Sequence, residues 1–359
     1  MAPTGTQVFV QLGRIPPFAV TYVEQAAAMA PSFRTVLISD RKTPDLRGVS
    51  TVPLGSLVTV SDVHSLTVRV AAAGFNPRFR GGYWPRIFMR FLAMERYLRS
   101  LDIPGPALHL ECDVASFSSE DLVQMALANR DEDVLIPLID DEAACPSIII
   151  GRSAGDLADV AGFVLERLGR KRGQSDMGLL AQSVKEGVAG RLATHPAAST
   201  FSLSVSRLGA ELSDGGPSPM EKARVVFDAA AVGQYLFGID PRNNRGVLIP
   251  GYRETRGNLD PGSWSDWHLA RGEDGITRVA FRADGELGVM GVLHVHAKSV
   301  VPLPSKDSSE WAEHLAIANH QRGPFARVQA KVYIRYELEE TVRRSRRLMR
   351  RMHNRFVAR

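Results

Sequence analysis

Along roughly the first 200 residues the apolar positions switch repeatedly between two spacings. "TQVFVQLG" is a short run rich in Val and Phe, the pattern of a buried strand. "PPFAVTYVEQAAAMAP" follows as a helix bounded by prolines. "FRTVLISD" is a second strand that stops on the polar pair Ser39 and Asp40. "SDVHSLTVRVAAAG" fits neither spacing cleanly and is left open. "YWPRIFMRFLAMERYLRSLDI" has helical periodicity and good helix formers. "PALHLECDV" reads as a strand after a Pro-Gly-Pro break. "SEDLVQMALANR" is a helix, "DVLIPLID" and "PSIIIG" are strands, and "AGDLADVAGFVLERLGRK" is a helix. Strands alternating with helices imply an α/β fold: a Rossmann-type, mostly parallel sheet flanked by helices.

The second half is more mixed. "GGPSP" at 215–219 has turn or linker composition, and "DPRNNRG", "RGNLDPGSWSDW" and "RGED" are loop-like. "GELGVMGVLHVHAKSV" returns to strand character, and the chain ends in a basic helical stretch. No internal repeat and no clean linker emerges. The expected organisation is one domain over 1–300, with a nucleotide-binding half at 1–115 and an acceptor-side half at 116–300. A basic helical extension at 301–359 would follow.

Composition narrows the classes. The 359 residues are 44% hydrophobic and 23% charged, an ordinary globular balance. Two cysteines, Cys112 and Cys145, form no disulfide framework, and CxxC spacings are absent, so a cytoplasmic setting is expected. The start carries no signal-peptide pattern, and no apolar run approaches the roughly 20 residues of a membrane span. The net charge of +5 is concentrated in "RYELEETVRRSRRLMRRMHNRFVAR". That basic tail fits an anionic membrane surface, a solvated helix or an oligomer contact. A nucleic-acid-binding reading is disfavoured, because the basic residues are not interleaved with aromatics and no recognition motif is present.

The candidate chemistry starts at "ALHLECDVASF". In an extended segment Glu111 and Asp113 point to the same face, and Cys112 points to the core. Open α/β sheets bind ligands at the carboxyl ends of their strands. Two close carboxylates there repel unless a cation or donors lie between them, and hard oxygen ligands suit Mg²⁺ or Mn²⁺. "LHVHAKS" places His294, His296 and Lys298 on one face of a strand, a metal and phosphate corner.

These segments, in this order, resemble the GT-A fold glycosyltransferases. "HLECDV" is similar to their DxD-type motif, with Glu at the first acidic position. "MRFLAMERYL" before it resembles the helix that precedes that motif. "SDMGLL", "VFDAAAVGQYLFGIDPRN" and "LHVHAK" after it resemble later elements of related bacterial sequences. The likeness runs from about residue 5 to residue 300. It implies a nucleotide-diphosphate sugar donor, a hydroxyl acceptor and Mn²⁺ or Mg²⁺. Asp113 takes the metal-binding role, and Glu111 helps to hold the metal, its waters or the ribose. His296 or His294 completes the metal set. Asp40 would read the base, and Arg90 and Lys298 would meet the diphosphate.

Other residues carry weaker assignments. Arg86 and Arg90 are four apart and share a helix face. Gln11 and Arg14 follow the first strand. Asp176 in "GQSDMGLL" is the candidate catalytic base, or part of a helix cap with Ser175. Asp228, Gln234 and Tyr235 are candidates for the acceptor side, and Trp264 and Trp267 for sugar stacking. His268, His314 and His320 read as structural. A non-catalytic binder of sugar nucleotides is the alternative to an enzyme.

Overall fold

The computed structural model describes residues 2–128, 130–208, 220–237 and 261–295, together with Trp311 and Leu315. His296, Lys298, His314, His320 and, apart from Trp311 and Leu315, the expected helical extension at 301–359 lie outside the described residues.

The elements follow one another as β1 (Gly5–Gln11), α1 (Pro17–Met29), β2 (Phe33–Ser39), β3 (Val49–Pro53), α2 (Val60–Ala72), α3 (Tyr83–Arg99), β4 (Ala107–Leu110) and β5 (Val114–Ser116). Then come α4 (Glu120–Ala128), β6 (Val134–Pro137), β7 (Ile148–Gly151), α5 (Ala154–Arg167), α6 (Asp176–Lys185) and β8 (Gly190–Leu192). The last group is β9 (Ser202–Arg207), β10 (Glu221–Phe227), α7 (Ala231–Phe237), β11 (Ser265–Gly272), β12 (Thr277–Ala283) and β13 (Glu286–His294).

Seven strands form a parallel-rich sheet in the order β3-β2-β1-β4-β7-β6-β8, in which only β7 runs against its neighbours. The α/β expectation holds. Strand β1 is buried from Gly5 to Val10, which is why its sequence is a nearly continuous apolar run. Val8 and Val10 face a core built with α2, α3, α5 and α6. Phe9, between them, faces a second core built with α1 and α4.

The ambiguous segment resolves as α2. Its capping box decides this: Thr59 accepts from the Asp62 amide, and Asp62 accepts from the Thr59 amide. Arg96 on α3 then grips Asp62 through both guanidinium nitrogens, at 2.6 and 2.7 Å, and locks α2 onto α3.

The other strands form a second sheet, β10-β9-β11-β12-β13-β5, and an additional β10–β13 pairing closes five of them into a ring. Trp264, Trp267, Phe281, Met290 and Trp311 fill a third core on this side.

The strand expected through "PALHLECDV" is broken in two. β4 belongs to the first sheet and β5 to the second. Between them the Val114 amide returns to the Glu111 carbonyl at 3.2 Å, a tight turn over residues 111–114. Glu111 and Asp113 therefore stand on a turn, and strand alternation does not govern where they point. Trp264 and Trp267 are also displaced from expectation. Instead of lying in a polar loop, they are buried, and Trp264 stacks on Phe281 with ring centroids 4.3 Å apart.

Candidate active site

The chain runs from β1 outward to β3 and then crosses back to β4 on the other side of β1. Between the carboxyl ends of β1 and β4 lies the switch point where open α/β sheets take their ligands. Gly13, just after β1, sits at φ +92°, a backbone region that favours glycine. Its amide donates to Asp40 Oδ1 at 2.6 Å. Arg86 Nη1 lies 3.7 Å from where a Cβ on Gly13 would stand. Asp40 and Arg86, both exposed, thus flank one loop at the ends of β1 and β2. Gln11 turns to the Arg14 carbonyl at 3.1 Å.

At the end of β4 the charged residues converge. His294 is the last residue of β13 and pairs in register with Val114, the first residue of β5. The Val295 amide donates to the Asp113 carbonyl at 2.8 Å. This coupling of the second sheet to the 111–114 turn carries a residue 181 positions distant in sequence to the carboxylate pair. His294 Nε2 lies 3.3 Å from Asp113 Oδ2 and 3.7 Å from Glu111 Oε2. On the other side of the ring, Nδ1 is 3.4 Å from Cys145 Sγ.

Arg90, buried on α3, joins a second group of acids. Nη1 donates to Glu111 Oε1, and Nη2 donates to Asp176 Oδ2 at 3.1 Å. Asp176 opens α6, where Ser175 supplies the helix cap to the Gly178 amide. The cap role thus falls to Ser175 and leaves the Asp176 carboxylate for Arg90. Burial raises the Asp176 carboxyl above the ordinary range, and Glu111 adds to this, against the pull of Arg90.

Asp228 is almost fully buried just before α7. Its carboxylate accepts from the amides of Val232 at 3.0 Å, Gly233 at 2.8 Å and His294 at 3.0 Å. A Cβ on Gly233 would collide with the His294 carbonyl oxygen, so only glycine lets α7 approach this closely. Asp228 therefore fixes the backbone of His294. Burial opposes a charge on the His294 ring. Cys145, Glu111 and Asp228 overcome that and raise it to about 9.

Three residues here carried no sequence signal of a site. Cys145 is a lone buried cysteine in the loop between β6 and β7. Tyr83, at the start of α3, has its phenol pushed up by burial and by the charges of Asp176 and Glu111. It is 40% exposed, at the rim of the cluster. His109 is buried in β4 with Nδ1 3.0 Å from the Val8 carbonyl oxygen; burial and Arg90 hold it down at about 4, so it is neutral. Gln234 and Tyr235 are half-buried on α7, with Tyr235 against Trp267. His268 is bonded to the Asp266 carbonyl at 2.6 Å.

The donor set fits a divalent cation. A cation bound at about 2.0–2.2 Å sets neighbouring ligand atoms about 3–3.5 Å apart. Asp113 Oδ2 and His294 Nε2, at 3.3 Å, match that spacing. Glu111, Cys145 and His294 also place ligand atoms within 4.8 Å of one another.

No protein-family model matches the chain, and no curated protein matches it. Solved structures align with part of the chain. The PaToxG glycosyltransferase is 9% identical over 52% of this chain and 69% of its own, with a TM-score of 0.33. The galactosyltransferase LgtC, solved with donor and acceptor sugar analogues, is 12% identical over 52% of this chain and 73% of its own, with a TM-score of 0.32. The 4-diphosphocytidyl-2C-methyl-D-erythritol synthase of Anaerococcus prevotii is 11% identical over 53% of this chain and 86% of its own, with a TM-score of 0.31. At such values the shared part does not decide the activity. Among the described residues no helix is long and apolar enough to cross a membrane.

Proposed function

We propose that the protein is a cation-dependent glycosyltransferase that moves a sugar from a nucleotide-diphosphate donor to a hydroxyl acceptor. The observation that carries this reading is the convergence of Asp113, Glu111 and His294 at the end of β4. The order of motifs that resembles the GT-A enzymes supports it independently. Asp113, Glu111 and His294 would hold the cation. The two carboxylates suit Mg²⁺ or Mn²⁺, and the imidazole shifts the preference to Mn²⁺. When bound, the cation would supply positive charge to the departing nucleotide diphosphate.

The chain's own groups divide the remaining work. Asp40 and the Gly13 loop would receive the nucleoside, because they close the ends of β1 and β2. Exposed Arg86 stands at the same loop and would meet the phosphates. Arg90, with Glu111 on one nitrogen and Asp176 on the other, sets the spacing between the cation side and the base side. Asp176 would take the acceptor hydroxyl's proton on a carboxylate oxygen, and its raised proton affinity favours that transfer. His296 and Lys298 continue from the His294 corner in sequence and would add to the donor side.

A thermal-shift panel of nucleotide-diphosphate sugars, with and without Mn²⁺, tests the reading. A true donor raises Tm more with Mn²⁺ than without, and more than its own nucleotide diphosphate does. Release of free sugar from that donor by wild type, absent in Asp113→Ala, separates an enzyme from a binder. Full turnover by Asp113→Ala rules the cation site out.

A further inference from the structure

Cys145 is 2% exposed and packs against Ala229, Ala230 and part of Ile139, with its sulfur within 4.8 Å of a Glu111 carboxylate oxygen. Its amide donates to the Pro137 carbonyl at 2.9 Å, which fixes the backbone beside β6. The sulfur lies 3.4 Å from His294 Nδ1, while Nε2 on the far side of the ring faces Asp113 and Glu111.

An imidazole that ligates a cation through one nitrogen keeps its proton on the other, and the partner of that second nitrogen fixes the tautomer and the ring's orientation. We infer that Cys145 is a positioning residue for His294: its sulfur accepts the Nδ1–H and holds the Nε2 lone pair toward Asp113 and Glu111. The inference rests on the reading of that cluster as a cation site. The usual partner for such an N–H is a carboxylate or a carbonyl oxygen. A carboxylate in that position would stand beside the Glu111 carboxylate and among Ala229, Ala230 and Ile139, without the donors it needs. A sulfur is small, polarisable and inexpensive to desolvate there.

The ring is held at both ends of its attachment. Asp228 ties the His294 amide at 3.0 Å, and Gly233 packs on its carbonyl. Cys145 then fixes the remaining rotation of the side chain. Sγ also lies within 4.8 Å of a Glu111 carboxylate oxygen; its contact with Nδ1 at 3.4 Å assigns it to the ring, and the Co²⁺ spectrum distinguishes that role from direct ligation.

Titrating Co²⁺ into the full chain, followed by its visible absorption, tests this. Wild type should bind Co²⁺ without the intense near-ultraviolet band of a cobalt–thiolate bond. Cys145→Ala should weaken Co²⁺ binding about 10–100-fold, the usual effect of losing such a partner. Cys145→Ser, which restores an acceptor, should recover most of that loss.

If Cys145→Ala fails to fold, Cys145→Val, which fills the site without an acceptor, takes its place in the comparison with Cys145→Ser. Unchanged affinity in Cys145→Ala, or a near-ultraviolet band in wild type that Cys145→Ala loses, overturns the inference. Asp113→Asn separates this outcome from failure of the cation reading. If wild type and Asp113→Asn take up Co²⁺ equally, the cation site itself is wrong. If only Asp113→Asn loses binding, the cation site stands and the role of Cys145 falls.

Discussion

Two buried arginines show the difference between a structural ion pair and a site. Arg278, fully buried on β12, gives both terminal nitrogens to one acid, Asp274, at 2.7 and 2.6 Å. Ser119 and the Ile276 amide complete that carboxylate. Arg90, buried to nearly the same degree, divides its nitrogens between Glu111 and Asp176. Asp113 stands close by, against His294. Burial acts on both arginines alike, but the outcome differs. Against burial, Asp274 is held below the ordinary carboxylate range by its matched partner. Asp176, with half an arginine, is left above it. One charge matched to one charge is a fastener. Three carboxylates sharing an arginine and a histidine form a cluster whose charges are unevenly matched, which is how functional sites perturb their acids.

The sharpest break in this comparison is removal of each arginine. Arg90→Met leaves two acids without their shared cation and should destabilise by about 3–5 kcal/mol in urea unfolding. Arg278→Met should cost less, because Ser119 and the Ile276 amide still serve Asp274. If Arg278→Met proves the costlier change, the site does not depend on Arg90 as drawn.

Cation response comes next. With Mn²⁺ at about 100 times its Kd, wild type should gain about 2.7 kcal/mol. Asp113→Asn should lose that gain, and Asp274→Asn should keep it. Equal gains in all three proteins would make the two clusters alike.

The pH dependence should then run in opposite senses. Asp176 binds its proton more tightly in the folded state than in the unfolded chain. Its contribution is therefore present at acid pH and is lost as pH rises above the ordinary carboxyl value of 3.8. Asp274 is the reverse: its contribution is present above that value and is lost as pH falls. In thermal unfolding from acid to neutral pH, Asp176→Asn should gain on wild type while Asp274→Asn falls behind. Shifts in the same direction would break the contrast.

The smallest effect belongs to Asp40. Asp40→Ala removes one part-buried hydrogen bond from Gly13 and should cost about 1 kcal/mol. It should keep the Mn²⁺ response and lose part of the stabilisation by a nucleotide diphosphate, read in the same thermal-shift panel.

Much of the first sheet was legible because most of its strands are buried and three of its helices, α2, α5 and α6, carry their own caps. The apolar run of β1, the proline at the start of α1 and the Ser153 cap of α5 all act within a few residues. Even α2, ambiguous by periodicity, has its deciding signal in Thr59 and Asp62, three residues apart. The acids Glu111, Asp113 and Asp176 and the base Arg90 stood out by residue type and order. The reason they converge did not. Alternation along one strand was the expectation, whereas a turn at 111–114 hands the chain from one sheet to the other.

By itself, then, the sequence determined most elements of the first sheet and the inventory of charged groups, since local propensity, capping and burial pattern operate over a turn or a few residues. Only the tertiary structure decided which groups meet. His294 reaches Asp113 through the register of β13 on β5, and Cys145 reaches His294 from the β6–β7 loop. Trp264 and Trp267 went to the core because a face of the second sheet had to be covered. The contacts of His294 with Asp113 and Cys145 join residues more than a hundred positions apart, and neither spacing nor composition specifies them.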